Sequence, residues 1–385
     1  MRRARAWIVA GFVVTGAIAV AVGLCEVGLR LFYPQPMGVW FQDRDGLAMH
    51  WPGLVTYLPQ FGLSVSFNSA GMRDREHTVA KPNGVFRVLV LGDSFMEALQ
   101  IPFESTFPSL LERGLAGRTG SRIEVVNASV SGWGTDDELK YLATQGRKLR
   151  PDLIVVAMTL HNDISDNLRE RFHTMQNGAL LEKPGEAPAA LEYEVIRLKG
   201  FLASRSHAYQ LLLRARRARE RQGQANALNA HVVTLFRETA DPRISRGLEL
   251  TSLLLQRMKT LALADDSRLA LVLLPLVVQL SDERFAKFTE AADDSERRFD
   301  VERPQVLMRD LGDRAGIDVI DLLPSFRKWT AEDSGSLYLE PDGHWNETGH
   351  KLAADVVARE LVVRHYVRGG YASSPTTTPR VERRE

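Results

Sequence analysis

Apolar, β-branched runs recur along the chain, and most are followed by a segment with helical periodicity. These runs contain few alternating polar residues, which is typical of strands buried on both faces of a parallel sheet. Alternating strands and helices predict a three-layer α/β/α sandwich around such a sheet. The predicted strands are Phe86 to Leu91, Ile123 to Val126, Leu153 to Met158, Leu269 to Leu274 and Ile317 to Leu322, and the predicted helices lie at about 107–116, 136–148, 248–263, 301–315 and 349–367.

The alternation is interrupted between about residues 164 and 246. This insertion is predicted to contain a loop with Pro184 and Pro188, followed by one long helix from Leu191 to Arg221. Insertions of this kind serve as lids over a substrate site or as solvated decorations, and both remain open here. The predicted helix carries an arginine cluster, which indicates either a solvated face or contact with anionic lipid headgroups or an acidic glycan. The cluster comprises Arg214, Arg216, Arg217, Arg219 and Arg221.

The first 33 residues have the composition of a membrane anchor. Every residue from Trp7 to Cys25 is apolar, glycine or threonine, and about 20 such residues span the hydrocarbon core of a bilayer. Arginines at positions 2, 3 and 5 precede this stretch. They predict a cytoplasmic N-terminus and an extracytoplasmic domain, in the periplasm or on the cell surface. The alternative is a cleaved signal peptide, because Ala17 to Ala21 offers small residues at peptidase spacing. The length of the apolar stretch favours an uncleaved single-pass anchor.

Two further segments lie outside the sheet domain of residues 86–367. Residues 34–85 are rich in glycine, proline and aromatics, and predict a stalk followed by short strands. Within them, the sequence from Asn68 to Arg73 stands out but suggests no chemical role. The tail, residues 368–385, contains Ser-Pro and Thr-Pro pairs and closing charges, and is predicted to be disordered.

Charge and cysteine content narrow the possible partners and cofactors. The chain has 49 basic and 48 acidic residues, so no overall field would attract nucleic acid. Cys25 is the single cysteine and lies in the apolar stretch, which excludes a disulfide framework or cysteine metal site in the rest of the chain. The His, Asp and Glu residues lack metal-ligand spacing, and no Gly-x-Gly-x-x-Gly follows the first strand. We therefore expect no metal and no nucleotide cofactor.

The candidate nucleophile and base lie in two short motifs. Gly92-Asp93-Ser94 directly follows the first predicted strand of the sheet, at the carboxyl end where open α/β sheets place their sites. His344 lies in Pro341-Asp342-Gly343-His344, where a turn at Gly343 would bring Asp342 to the imidazole and allow it to act as a general base. Each motif also has a purely structural explanation, as a helix cap or a β-turn.

Loops after the next two strands offer donors for a developing oxyanion. Gly132, in Ser131-Gly132-Trp133-Gly134, can present its backbone N–H without side-chain obstruction. Asn162, in Leu160-His161-Asn162-Asp163, carries an amide that can donate to the same oxygen. The neighbouring His161 is a candidate substrate contact, although histidines packed beneath a loop are more common.

In this order, the four motifs resemble those of the SGNH or GDSL ester hydrolases. The resemblance extends from about Phe86 to Leu361 and implies a flavodoxin-like sandwich around a parallel sheet. It also implies that Ser94 is the nucleophile, that His344 is the base, and that the oxyanion hole comprises the Ser94 N–H, Gly132 and Asn162.

Two departures from the family pattern affect the site. Leu160 stands where the third motif usually has glycine, which can reshape the acyl pocket. Only Gly343 separates Asp342 from His344, whereas the fourth motif usually has two intervening residues. By resemblance Asp342 would orient the histidine, and Glu340 is the alternative acid.

The resemblance implies a serine esterase without a cofactor, acting on an acyl or acetyl ester of an envelope carbohydrate or lipid. A polysaccharide O-acyltransferase would use the same residues, because water and a sugar hydroxyl compete for one acyl-enzyme. The two departures also leave open a catalytically silent glycan-binding module. The sequence does not identify protein partners or an oligomeric state.

Overall fold

The protein consists of an N-terminal apolar helix, a segment of short strands, and an α/β domain with a helical insertion. The computed structural model describes residues 2–160, 162–183, 188–220, 232–239, 241–290 and 298–367. The N-terminal elements are α1 (Arg2–Phe32), β1 (Trp40–Gln42), β2 (Ala48–His50), β3 (Val55–Leu58) and β4 (Leu63–Ser66). The remaining elements, in chain order, are β5 (Val85–Gly92), α2 (Ser94–Glu97), α3 (Phe107–Thr119), β6 (Arg122–Ser129), α4 (Thr135–Thr144), β7 (Leu153–Thr159), α5 (Asp163–Asn167), β8 (His173–Gln176), β9 (Ala179–Glu182), α6 (Ala190–Arg205), α7 (His207–Glu220), α8 (Pro242–Ala264), β10 (Arg268–Leu274), α9 (Asp282–Glu290), α10 (Arg303–Ala315), β11 (Asp318–Asp321), α11 (Leu323–Ala331) and α12 (Glu347–Val363).

The central sheet has five parallel strands in the order β6-β5-β7-β10-β11. This order has the flavodoxin-like pattern, in which the chain reverses direction across the sheet beside its first strand. Val88 of β5 is paired with Val125 of β6 on one side and with Leu153 of β7 on the other. The predicted three-layer α/β/α sandwich is confirmed, and each predicted strand lies within or next to an observed one.

Alternate residues of the strands pack against two separate helical layers. Val88 and Val90 of β5 pack in one cluster with residues of α3, α11 and α12. Leu89 and Leu91 pack on the opposite face with residues of α4, α8 and α10. All four side chains are fully buried, which explains why this run shows no polar alternation.

The insertion differs from its prediction. The single helix predicted from Leu191 to Arg221 is wrong, because the chain takes an extended conformation at Ser206, with φ −114° and ψ 115°, and forms the separate helices α6 and α7. A β8-β9 hairpin precedes them. Arg221 lies outside the described residues. The predicted helix 136–148 ends earlier, at Thr144, and is followed by a 3₁₀ turn, Gly146–Leu149.

Residues 34–85 are not a detached stalk. Leu47, Met49 and Met72 belong to the hydrophobic core beneath the sheet. Val65 and Phe67 form a second cluster that includes Leu99, which follows α2 closely. The prediction of short strands is correct, but apolar residues of this segment are buried against the α/β domain, which removes them from water.

Helix α1 contains a 24-residue segment, Val9–Phe32, with a mean hydropathy of 2.1, long and apolar enough to cross a membrane. The most apolar 18 residues of this segment are not buried against the rest of the protein. The prediction of one apolar N-terminal helix is confirmed, and its orientation remains a prediction. The predicted disordered tail, residues 368–385, lies outside the described residues.

Candidate active site

Ser94 is the first residue of α2 and is separated from the end of strand β5 only by Asp93. Asp93 caps this helix, because its carboxylate accepts a hydrogen bond of 3.0 Å from the Phe95 N–H. The turn is tight at Gly92, where a Cβ atom would lie 2.7 Å from Cγ of Met96. The sharp turn therefore leaves the Ser94 hydroxyl at the carboxyl end of β5.

Ser94, His344 and Asp342 form a continuous hydrogen-bonded chain. The Ser94 Oγ lies 2.8 Å from Nε2 of His344, and Nδ1 of His344 lies 2.5 Å from Oδ1 of Asp342. In a neutral imidazole, Nδ1–H then donates to the carboxylate, and Nε2 is free to accept the serine proton. The side chains of His344 and Asp342 are partly exposed, at 24% and 34%.

Short-range contacts hold the loop that carries His344. The Leu339 N–H donates to the carbonyl of His344, at 2.8 Å, and the Gly343 N–H donates to the carbonyl of Leu339, at 2.7 Å. Gly343 has φ +84°, a conformation that favours glycine. The His344 ring packs 4.8 Å from the ring of Phe95, which follows the candidate nucleophile. The base is therefore positioned by its own loop and by a neighbour of Ser94.

The two candidate acids have different partners. Asp342 contacts His344 through the side chain and also accepts from the His344 N–H, at 3.2 Å. Glu340 instead forms an exposed ion pair with Arg284, at 3.2 Å. The left-handed turn at Gly343 allows an acid two positions before the histidine to reach its ring. The structure therefore brings Asp342, and not Glu340, to the imidazole.

The predicted oxyanion donors lie on loops that are bonded to the nucleophile turn. Asn162 donates through Nδ2 to Oδ2 of Asp93, at 3.0 Å, and its second amide hydrogen stays available. Gly132 has φ +83°, and nothing lies within 4 Å of where a Cβ would be. Within the described ranges, the N–H groups of Ser94 and Gly132 have no hydrogen-bond acceptor. His161 lies outside the described residues, so its predicted contact is untested.

Asp93 joins three of these elements. Besides the Phe95 N–H, its carboxylate accepts from the Thr159 hydroxyl and from the Asn162 amide, both at 3.0 Å. It is almost fully buried. Through these hydrogen bonds, Asp93 supports the loop that carries Ser94.

Glu97 is a supporting residue that sequence reasoning missed. Its fully buried carboxylate accepts from the N–H of Ser131, at 2.7 Å, and from the Ser131 hydroxyl. Its other oxygen lies 2.8 Å from Nε2 of the buried His50. Burial alone would raise the pKa of Glu97, but His50 and Ser131 together hold this pKa below its ordinary value. Glu97 thus bonds α2 to the loop that presents Gly132. The sequence signal that could have indicated this role is the position of Glu97, a charged residue that directly follows two apolar ones in a short helix.

Arg73 explains the sequence from Asn68 to Arg73 that had no assigned role. Its buried guanidinium donates to the carbonyls of Glu97, Ala98 and Ile101, which lie at and beyond the carboxyl end of α2. Burial lowers the pKa of Arg73 to about 10, so the group stays charged at neutral pH. The segment before the sheet domain therefore fixes the helix that begins with Ser94.

Further carboxyl groups lie buried near Asp93. Burial, followed by the charges of Asp93 and Asp137, raises the pKa of Glu138 well above its ordinary value. Burial and the same Asp93 charge raise that of Asp163. Burial also raises the pKa of Asp137 to about 6, although Arg171 opposes this shift. Across the described ranges, no group of His, Cys, Asp and Glu has the geometry to hold a metal ion.

Comparison with known proteins identifies related sequences for parts of the chain. A family model described as SGNH hydrolase-like domain, acetyltransferase AlgX, matches residues 209–384. This range includes His344 and excludes Ser94. An arylesterase from Vibrio mimicus is 36% identical over 72 residues, which are 19% of this chain and 36% of the relative. The chain thus matches about a third of the length of that relative.

Solved structures similar to this chain include several ester hydrolases. The structure of TesA is 15% identical, covers 73% of this chain and 99% of its own, and has a TM-score of 0.39. An acetyl xylan esterase, AlAXEase, is 14% identical, with coverages of 72% and 100% and a TM-score of 0.39. A lipase/acylhydrolase from Enterococcus faecalis is 15% identical, with coverages of 72% and 96% and a TM-score of 0.38.

The family model and the sheet topology agree on one assignment. The model covers the part of the chain that carries His344. The other motifs lie where the family pattern requires them, at the carboxyl ends of β5, β6 and β7 in the flavodoxin-like order. The α/β domain therefore has an SGNH hydrolase-like fold, and residues 209–384 are similar to the SGNH hydrolase-like domain of the family model.

Proposed function

We propose that this protein is a serine esterase that cleaves an acyl or acetyl ester through a covalent acyl-enzyme. The observation that carries the proposal is the chain of contacts from Ser94 Oγ to His344, at 2.8 Å, and from His344 to Asp342, at 2.5 Å. Ser94 attacks the ester carbonyl while His344 accepts its proton and Asp342 stabilises the resulting imidazolium. His344 then returns the proton to the leaving alcohol.

The second half of the reaction uses the same groups. Water gives a proton to His344 and attacks the acyl-enzyme, which releases a carboxylic acid and restores the Ser94 hydroxyl. In both halves, the negative oxygen would be stabilised by the N–H groups of Ser94 and Gly132 and by the Asn162 amide. The bond from Asn162 to Asp93 supports this role, because it orients the amide before substrate binds.

The proposed substrate is an acylated carbohydrate or lipid of the cell envelope. The unpacked apolar segment of α1 supports a membrane anchor, and the arginines before it favour an extracytoplasmic catalytic domain. Fusing alkaline phosphatase or green fluorescent protein to the C-terminus tests the orientation. We expect phosphatase activity and no fluorescence, and the reverse result would contradict the orientation.

Labelling with a fluorophosphonate tests the proposed nucleophile. We expect the wild-type chain to be labelled and Ser94→Ala to remain unlabelled. Ser109→Ala is a matched control, because it removes a hydroxyl on α3 that accepts a hydrogen bond from the exposed Arg113, at 3.2 Å. Equal labelling of Ser94→Ala and wild type would contradict the assignment. A wild-type chain that neither labels nor hydrolyses an activated ester would instead support a silent glycan-binding module.

Transfer of the acyl group to a sugar hydroxyl is the second candidate. The family model matching residues 209–384 is described as an acetyltransferase, and a sugar can replace water in the second half-reaction. A labelled acetyl donor, supplied with and without an acceptor glycan, distinguishes the two reactions. Release of free acetate only, at the same rate with glycan present, supports hydrolysis. Label appearing on the glycan supports transfer.

A further inference from the structure

The end of α1 is bonded to the turn between the two insertion helices. The Glu26 carboxylate accepts from the N–H groups of His207 and Ala208, at 3.0 and 2.9 Å, and from the Ser206 hydroxyl, at 2.9 Å. Arg30 donates to the carbonyl of Arg205, at 2.7 Å. An acidic side chain thus caps the amino end of α7, and a basic one satisfies the carboxyl end of α6.

Because these contacts join α1 to the α6–α7 turn, the depth of α1 in the bilayer that it is proposed to cross also determines the position of this turn. The apolar stretch from Trp7 to Cys25 rises about 28 Å as a helix, which matches a hydrocarbon core of about 30 Å. The candidate span Val9–Phe32 is longer than this core, so its end that carries the charged residues Glu26 and Arg30 lies at headgroup level. The α6–α7 turn that Glu26 caps must lie at the same level.

Helix α6 is apolar on two opposite faces. One face packs inward, where a Cβ added to Gly200 would lie 3.2 Å from the Trp51 ring and 3.6 Å from Cβ of Phe41. The opposite face carries Leu191, Val195, Leu198 and Leu202, which fall within about 60° of one another on a helical wheel. Leu191 and Leu198 are 79% and 57% exposed. We call these four leucine and valine residues the outer stripe.

Helix α7 extends this surface on the other side of the turn. Leu212 is 69% exposed, and Leu211 beside it is also exposed. Residues 190–220 contain seven basic and three acidic side chains. Leu198, Leu202, Leu211 and Leu212 all lie within about 11 Å of the capped turn along their helix axes. Apolar side chains with excess positive charge at headgroup level match an interfacial helix on anionic lipid.

We propose that the outer stripe of α6 and the exposed leucines of α7 rest on the surface of the membrane that α1 crosses. Acyl chains would cover the leucines, and anionic headgroups would be attracted by the excess positive charge of residues 190–220. The inference rests on the proposed anchor and not on the ester chemistry. Because α6 packs on β1 beside the segment that fixes α2, this contact would also fix the orientation of the catalytic domain above the bilayer.

Site-directed fluorescence in lipid tests the proposal. The full chain, with Cys25→Ser, is reconstituted into phosphatidylcholine nanodiscs with and without phosphatidylglycerol, carrying Leu198→Cys or Leu212→Cys labelled with a nitrobenzoxadiazole dye. The matched control is Val363→Cys. It is similarly exposed, at 64%, but lies near Tyr366, which bonds to Leu269 at the opposite end of the sheet. Circular dichroism confirms the fold of each variant.

We expect a headgroup nitroxide lipid to quench the dye at positions 198 and 212 several-fold more than at position 363, and more strongly with phosphatidylglycerol. Equal quenching at all three positions would overturn the proposal. A blue-shifted dye at 198 that the nitroxide does not quench would also overturn it, because a second copy or another protein would then cover the stripe. The experiment does not measure enzyme turnover, so its result does not depend on whether the protein hydrolyses esters.

Discussion

The proposed nucleophile, Ser94, and the proposed base, His344, are held by different kinds of structure. Ser94 begins a helix whose neighbouring groups, Asp93, Glu97 and Arg73, are all buried and make hydrogen bonds to distant segments. His344 lies on a loop held mainly by contacts between residues 337 and 346, and its acid partner is a third exposed. The position of Ser94 is therefore fixed by a buried polar network, and that of His344 by the local geometry of its own loop.

This difference separates the ways in which the site can fail. Buried polar groups that lose a partner are costly, so changes in the network around Ser94 affect both stability and alignment. Changes at Asp342 alter an exposed contact, so they should reduce chemistry with little loss of stability. Substitutions on the two sides should therefore give distinct combinations of activity and melting temperature.

The largest effect is expected at the two reacting side chains. Ser94→Ala and His344→Ala should each reduce kcat by roughly 10³- to 10⁶-fold, because removal of either one disables the same acyl-enzyme route. The double variant should be little worse than either single one. Hydrolysis of p-nitrophenyl acetate measures this. Additive losses in the double variant would show that the two residues do not act as a unit.

The next largest effect should distinguish the two acids. Asp342→Asn should reduce kcat by roughly 10²- to 10⁴-fold, since an amide cannot stabilise the imidazolium as a carboxylate does. Glu340→Gln removes only the exposed pair with Arg284 and should leave kcat essentially unchanged. Neither variant should change the melting temperature appreciably. The opposite ranking of the two activities would identify Glu340 as the acid.

The local side of the site was predictable from sequence, and the buried network was not. Ser94 follows an apolar run that predicts a strand. Gly343 lies between Asp342 and His344, so the acid and the base are close in sequence as well as in space. Glu97 bonds to His50, which comes from a segment whose composition suggested a stalk. The break at Ser206 escaped prediction for the same reason, because Glu26, about 180 positions earlier, caps the second helix.

Glu97 tests whether the network positions the Gly132 loop. Glu97→Ala should lower kcat by roughly 10²-fold, because misplacement of the oxyanion donors weakens transition-state binding, while KM changes little. Glu97→Gln keeps an acceptor for Ser131 and a group facing His50, and should restore most of the activity. The rates are measured below the melting temperature of each variant. Equal activities for the Ala and Gln variants would show that the bond to Ser131 does not position the loop.

The smallest effect is expected from the buried carboxyls, and it depends on pH. Because burial raises the pKa of Glu138 well above its ordinary value of 4.5, the folded state keeps a proton that the unfolded chain loses. The stability that Glu138 contributes is therefore complete below about pH 4.5 and is lost as pH rises towards the folded-state pKa. Glu138→Gln is neutral at every pH, so its melting temperature should exceed that of wild type increasingly from pH 5 to pH 8.

The expected gain is about one to a few degrees, since 1 kcal/mol corresponds to roughly 1–2 °C in a chain of this size. Differential scanning fluorimetry across this pH range measures it. Glu283→Gln is the control, because Glu283 is exposed and Lys287 lowers its pKa, so no gain with rising pH should follow. A gain for Glu138→Gln that is the same at every pH would mean that packing rather than ionisation distinguishes the variant. Parallel assays at pH 7 should show that it keeps its activity, since Glu138 contacts neither Ser94 nor His344 and its removal leaves the bonds made by Asp93 in place.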